Sequence, residues 1–148
     1  MRILLQRVKR ASVTIEHHLV GAIESGYVLL VGITHDDTVE TVVKMARKIA
    51  QLRVFSDVNG KLNENLSKHG NQVLSISQFT LYGDTKEGNR PSFTKAARPE
   101  TAKPLYERFN DELRLVHGID VQTGVFGADM LVSIENDGPV TIWFDTHE

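Results

Sequence analysis

Gly26-Tyr27-Val28-Leu29-Leu30-Val31-Gly32-Ile33 is an unbroken apolar run bounded by glycine. Such a run is consistent with a β-strand buried on both faces, because neither face of the alternation carries a polar residue. Upstream, Ile3 to Val8 and Ala11 to Ile15 are short, apolar and β-branched, and predict a first pair of strands. Downstream, Val39, Val42, Val43, Ala46, Ile49 and Ala50 recur at helical spacing, with Glu40, Lys44, Arg47 and Lys48 on the opposite face. That pattern predicts an amphipathic helix capped by Asp36 or Asp37 and laid against a sheet.

Further along, Asp57-Val58-Asn59-Gly60 is a turn signal, and Val73 to Leu81 reads as another central strand. Residues 83–98, rich in Gly, Asn, Arg, Pro and Lys, predict a surface loop. A second helix is expected over Pro99 to His117, with Ala102, Leu105, Phe109, Leu113 and Val116 inward and Gly118 ending it. Pro104 falls inside that span, so the helix either kinks or starts later. Leu131 to Glu135, a turn at Asn136-Asp137-Gly138, and Val140 to Phe144 complete the chain as two strands joined by a hairpin turn. The fold class is α/β: one domain over 1–148, a strand-rich curled sheet or barrel flanked by two amphipathic helices.

The 148 residues suit one domain, and 41% apolar with 24% charged residues is the balance of an ordinary globular protein. A chain of this size buries roughly two-thirds of its unfolded surface, enough for one core without staples. The absence of cysteine removes disulfides, a thiol nucleophile and thiolate metal sites. The opening Met1-Arg2-Ile3-Leu4-Leu5-Gln6 has an apolar run too short for a signal peptide or a membrane helix, so a cytoplasmic protein without membrane contact is expected. A net charge of −2 argues against coating long stretches of nucleic acid, and no DNA partner is expected. Two segments are nevertheless basic. Residues 1–10 hold Arg2, Arg7, Lys9 and Arg10 with no acid, and residues 86–103 hold five cations against Glu87 and Glu100. Each reads as a solvated face or as a rim that meets phosphates.

The common catalytic kits are missing: no Gly-x-Ser-x-Gly elbow, no phosphate-binding loop, no His-Glu-x-x-His zinc helix. Six histidines lie in expected turns, element ends or the tail, and the adjacent His17 and His18 would point to opposite faces of a strand. Neither a metal nor a cofactor is expected. Two segments stand out instead. Ser77-Gln78-Phe79-Thr80-Leu81 sets polar residues into an apolar strand, where they bond to the sheet backbone, face water or form a site. In Asn136-Asp137-Gly138-Pro139-Val140-Thr141, a proline follows the turn glycine and removes a ladder donor where the return strand begins.

Together with Gln6-Arg7-Val8, Ala11-Ser12-Val13, Arg90-Pro91-Ser92-Phe93 and Phe126-Gly127-Ala128-Asp129-Met130, these two segments resemble the D-aminoacyl-tRNA deacylases. The resemblance covers essentially the whole chain, with the segments in the family's order and spacing. It implies hydrolysis of the ester that joins a D-amino acid or glycine to the terminal adenosine of tRNA, by a homodimer.

Such an ester demands mainly stabilisation of the oxyanion that forms at its carbonyl, which backbone N–H groups supply well. The candidate donors are Phe79 and Thr80, with Gln78 shaping the site and Ser77 contacting substrate. An unassisted threonine hydroxyl is a weak nucleophile, so Thr80 is given a role in geometry and binding, and the adenosine 2′-hydroxyl assists an attacking water. Phe126, with Ala102 and Met130, would line the adenine pocket; the alternative for Phe126 is an ordinary core residue. In the family the Gly-Pro peptide is cis and its turn enters the partner subunit's site, which here concerns Gly138 and Pro139. Arg7, Asn136 and Thr141 would position that turn, unless Arg7 simply faces water. Two rivals stay open: a deacylase acting on a wrong L-amino acid, and a non-catalytic binder of RNA ends.

Overall fold

A computed structural model describes residues 1–148. The strand at its centre is β3 (Gly26–Gly32), paired antiparallel with β1 (Arg2–Ile15) and parallel with β6 (Gln72–Ser77). Tyr27, Leu29 and Val31 join the larger core, under the helices; Val28 joins a smaller one on the opposite face of the sheet, with Val13, Leu74 and Ile76. Apolar residues at every position are thus what a strand between two cores requires. β7 (Asp120–Thr123) extends the sheet parallel to β6, while β2 (His18–Ile23) pairs with the far half of β1 and curls round to lie against β6 and β7. The result is a nearly closed barrel with two helices on its outside, the expected α/β class. A small hairpin of β4 (Phe55–Ser56) and β5 (Leu62–Glu64) carries the turn at Asp57–Gly60.

The expected pair of strands at the start is one 14-residue strand. What reads as a break is a bulge: Val8 faces Asn136 and Arg10 faces Glu135 on β8 (Leu131–Asp145), leaving Lys9 without a partner. This extra residue changes the parity of the side chains. Ile3 and Leu5 enter the larger core, whereas Val8, Ala11 and Val13 enter the smaller one.

The expected hairpin at 136–138 is also absent. Residues 131–135 and 140–144 do not pair with each other; both are antiparallel to β1 in one long ladder. Gln6 faces Thr141 and Val8 faces Asn136, so Asp137, Gly138, Pro139 and Val140 stand opposite the single residue Arg7. The chain loops outward there and rejoins the same ladder, and the Gly138-Pro139 peptide is cis.

Helix α1 (Val39–Gln51) is capped by Thr38, whose hydroxyl accepts from the Thr41 amide, not by Asp36 or Asp37. Asp37 is instead buried against the Met1 amino group at 2.7 Å, a long-range pairing that local spacing cannot reveal. Val42, Ala46 and Ile49 face the core as expected, joined by Met45, but Val39 in the first turn stays exposed. Helix α2 (Pro99–Asp111) starts at Pro99, has Pro104 inside it, and passes into a π-turn over Glu112–Val116. The wider turn shifts the helical phase. Leu113 therefore remains buried while Val116, expected inward, is 63% exposed. Gly118, at φ +66°, ends the segment as the sequence indicates.

Candidate active site

The strand expected over Val73 to Leu81 stops at Ser77, and the chain turns into a short 3-10 turn over Phe79–Tyr82. The Gln78 amide still donates to the Val31 carbonyl at 2.7 Å, which ties this corner to the end of β3. The next two amides, those of Phe79 and Thr80, open the turn and donate to no acceptor in the protein. The Thr80 hydroxyl accepts a hydrogen bond from the Gln78 side-chain amide. Neither a histidine nor a carboxylate touches that hydroxyl.

Beside the corner is a cavity of about 570 Å³, a common size for a small-ligand site. It lies at the carboxyl ends of parallel strands β3 and β6, where α/β sheets characteristically bind ligands. Val31, Ile33, Ile76, Ser77, Gln78 and Phe79 form one side. Pro99 and Ala102, one turn apart on α2, form the second, and residues 126–130 with Val132 form the third. The lining is mainly apolar. Polarity is confined to Ser77 and Gln78 at the corner and to Asp129 opposite.

The structure thus brings together Ser77, Gln78, Phe79, Ala102, Phe126 and Met130, residues separated by up to 53 positions, around one space. Thr80 lies on the same turn, although its side chain is not part of the lining. Phe126 is half-buried, with its ring 6.1 Å from that of Tyr106, so it is wall and core at once. Tyr106 is buried beneath it and donates to the Ser75 carbonyl at 2.7 Å. Burial raises the Tyr106 phenol above its ordinary range, which keeps it a donor.

Sequence reasoning gave no role to Phe93, Ala96 and Ala97, which also line the cavity. Phe93 belongs to the segment Arg90-Pro91-Ser92-Phe93 and meets Phe79 edge-on, ring centres 5.1 Å apart. Its position there depends on a ledge pinned to the extension of β3, an arrangement with no local periodicity to betray it.

The remaining expected residues form a second group, outside the cavity lining. Arg7 is buried on β1, with Nε donating to the Asp137 carbonyl at 3.2 Å and Nη1 to the Val54 carbonyl at 2.7 Å. It therefore does not face water: it hydrogen-bonds the neck of the outward loop at Asp137, and its Nη2 packs against Gly138. Asn136 donates to the carbonyls of Arg7 (3.0 Å) and Val140 (3.1 Å), and its Oδ1 accepts from the Thr141 hydroxyl at 3.2 Å. Asn136 and Thr141 thereby close the base of the loop. Gly138 and Pro139 at its tip are exposed. No group of three or more His, Asp or Glu side chains converges anywhere in the molecule.

Fold and cavity together define a small α/β protein with two unpartnered main-chain donors beside a largely apolar cavity. The family model described as D-Tyr-tRNA(Tyr) deacylase matches residues 4–145. A D-aminoacyl-tRNA deacylase of Exiguobacterium sp. (strain ATCC BAA-1283 / AT1b) is 57% identical over 145 residues, covering 98% of each chain. One of Bacillus pumilus is 56% identical over the full length of both. A solved structure described as c-Myc DNA Unwinding Element Binding Protein superposes with a TM-score of 0.89 at 40% identity, covering 99% of each chain. The chain belongs to the D-aminoacyl-tRNA deacylase family, a family of hydrolases.

Proposed function

We propose that this enzyme hydrolyses the ester of D-aminoacyl-tRNA, and of glycyl-tRNA, to free tRNA and the amino acid. The observation that carries this reading is the pair of unpartnered amides of Phe79 and Thr80 beside an apolar cavity. The terminal adenosine lies against Phe126, Ala102 and Met130, where stacking a base on an aromatic ring contributes about 1–3 kcal/mol. Its 3′-ester carbonyl then meets the corner, with Ser77 and Gln78 beside it. Water attacks that carbonyl, and the charge that develops on its oxygen is met by the two N–H groups, typically about 2.7–4 kcal/mol each. The vicinal 2′-hydroxyl relays the proton from the attacking water to the departing 3′-oxygen. Thr80 contributes geometry, since its hydroxyl is already engaged by Gln78. Neither metal nor cofactor takes part.

Selection against L-amino acids belongs, in this reading, to Gly138 and Pro139, acting in the site of a second copy within a homodimer. The supporting facts are that both are exposed, that they lie outside the lining of their own cavity, and that Arg7, Asn136 and Thr141 brace the loop that carries them. Main-chain carbonyls placed where an L side chain would leave the α-carbon exclude every L-residue sterically, whereas D-residues and glycine pass. No helix is long and apolar enough to cross a membrane, and a tRNA substrate is in keeping with the expected cytoplasmic location. The DNA element named for the 40%-identical structure gains no support from a cavity of about 570 Å³, which cannot take in a duplex.

Deacylation time courses on matched D-tyrosyl-, L-tyrosyl- and glycyl-tRNA test the reading. Hydrolysis of the D and glycyl esters with the L ester spared is expected. Preferential loss of the L ester would support an L-editing enzyme, and unchanged lifetimes of all three a mere binder of RNA ends.

A further inference from the structure

Residues 90–103 alternate between walls of the cavity and outward cations. Phe93, Ala96, Ala97, Pro99 and Ala102 line it; Arg90, Lys95, Arg98 and Lys103 lie between and beside them, with Glu100 the one acid in the segment. Three contacts at the main chain of this ledge fix it to residues 33–35, just past the end of β3. The Ala97 amide donates to the Ile33 carbonyl at 2.9 Å, the Thr34 hydroxyl to the Lys95 carbonyl at 2.5 Å, and His35 Nε2 meets the Thr94 carbonyl at 2.7 Å. Lys95 is engaged by Asp84 at 3.5 Å. Arg98 and Lys103 are exposed, and the side chain of neither meets a carboxylate or a hydrogen-bond partner in the protein, although the Arg98 carbonyl accepts from the Thr101 and Ala102 amides.

Arg98 immediately precedes Pro99, and Lys103 immediately follows Ala102, so the two cations flank the helical wall of the cavity. Lys103 also borders a second hollow of about 420 Å³, which shares Phe126 with the first and so begins where the first ends. A nucleoside held against Ala102 and Phe126 would send its 5′ side out along this edge. Resting on the deacylase reading above, we propose that Arg98 and Lys103 bind the phosphate on the 5′ side of the terminal adenosine, making them positioning residues for the tRNA end. The ledge is anchored before substrate arrives, so little backbone ordering accompanies the contact. On a chain of net charge −2, two free cations beside the mouth also give the polyanion a local point of attraction.

The test compares D-tyrosyl-tRNA with D-tyrosyl-adenosine, the same ester without any phosphate. Arg98→Ala and Lys103→Ala should each lower kcat/KM on the tRNA by about three- to fivefold at low salt, the range of an exposed ion pair. Removing both together should also make the salt dependence shallower by about 0.7 in log–log slope, the value for one single-strand phosphate contact. Turnover of D-tyrosyl-adenosine should be unaffected, and Arg98→Lys should recover most of the loss on tRNA. Arg47→Ala, which removes a like charge from the outer face of α1, controls for net charge. Equal losses on both esters would overturn the proposal by showing that the residues shape the cavity. Losses on tRNA no larger than those of Arg47→Ala, with an unchanged slope, would overturn it as well. If the adenosine ester is turned over too slowly to compare, the slope on tRNA decides alone. Failure of the unaltered protein to hydrolyse either ester would instead take down the deacylase reading, and this proposal with it.

Discussion

Arg7 and Asp137 meet across the β1–β8 ladder at the one place where four residues of one strand face a single residue of the other. The guanidinium donates to the Asp137 carbonyl at 3.2 Å, lies 3.5 Å from the Asp137 carboxylate, and reaches the Val54 carbonyl with its other arm. Its ring-facing side lies 5.8 Å from the centre of Phe55. One side chain thus ties the outward loop to the β4–β5 region. Arg7→Met keeps much of the stem volume but leaves both carbonyls without this donor. Hydrogen bonds to charged groups contribute about 1.5–3 kcal/mol, so a loss of about 2–3 kcal/mol in urea denaturation is expected. A variant as stable as the parent would show that the contacts hold nothing.

Gly138→Ala addresses the tip of the same loop. Gly138 has φ +121°, and a Cβ there would lie 3.0 Å from Arg7 Nη2 and 3.1 Å from both the amide nitrogen and Cγ2 of Val140. Two of these cannot retreat cheaply: the guanidinium is pinned at two carbonyls and the amide is backbone. We expect about 1–3 kcal/mol of destabilisation, together with a lower D-over-L preference. Normal stability with the preference intact would mean that the loop neither resists the methyl nor reads chirality.

Thr80 separates two chemistries. Its hydroxyl is engaged by Gln78, and no base touches it. Thr80→Ala should therefore retain turnover within about tenfold of the parent, whereas a substrate lacking the 2′-hydroxyl of the terminal adenosine should lose about 10²-fold or more, the scale of general acid–base assistance. A correctly folded Thr80→Ala enzyme reduced to the uncatalysed rate would make the hydroxyl chemical. Normal cleavage of the 2′-deoxy substrate would refute substrate assistance.

Stability should fall in acid through Asp145. Burial by itself would raise this carboxyl, but the His147 amide at 2.9 Å and Arg2 Nε at 2.9 Å outweigh burial and hold it below the ordinary range. The unfolded chain therefore takes up the proton first. The stabilisation is full above the ordinary carboxylate value and is lost as pH falls from there through the lower folded value. Asp145→Asn should lower stability at neutral pH and flatten its acid limb in urea titrations at successive pH values. An unchanged acid limb would assign the loss to other carboxylates.

Much of this could be read locally. The run at 26–33, the α1 stripe and Gly118 as a helix stop each follow from spacing within a few residues, and the two motif segments marked the corner and the loop. What escaped was fixed at a distance. Lys9 is unpaired only because β8 lies beside it, and residues 136–140 resemble a hairpin turn until both flanks are seen to pair with β1. Val116 faces out because a π-turn changes the phase, and Asp37 is drawn from capping by an amino group 36 residues away. In the site, Ser77 to Phe79 and Phe126 were legible as motifs. The contribution of the ledge at 93–97 depends on its anchorage to Ile33 and Thr34.

The proposed homodimer can be tested by asking whose cavity each loop serves. β8 is an outermost strand with Leu131 and Trp143 exposed on it, 68% and 41%, and its loop tip does not line its own cavity. A two-fold contact buries the same surface of both copies and can carry each tip to the other cavity. Light scattering at micromolar concentration should then give about twice the chain mass of 16.6 kDa. Mass alone does not show exchange of the tips, but mixed dimers do. Gly138→Ala damages the tip and leaves the cavity; Phe126→Ala damages the cavity and leaves the tip. If the tip works in the partner, a mixed dimer has one site with both parts intact and one with neither. Random mixing makes half of the dimers mixed, so about a quarter of all sites should recover D-selective hydrolysis. If each tip served its own cavity, every site in the mixture would keep one defect, and no recovery would follow. Activity equal to the average of the two separate variants, or a 16.6 kDa particle in solution, would therefore remove the partner subunit from the mechanism.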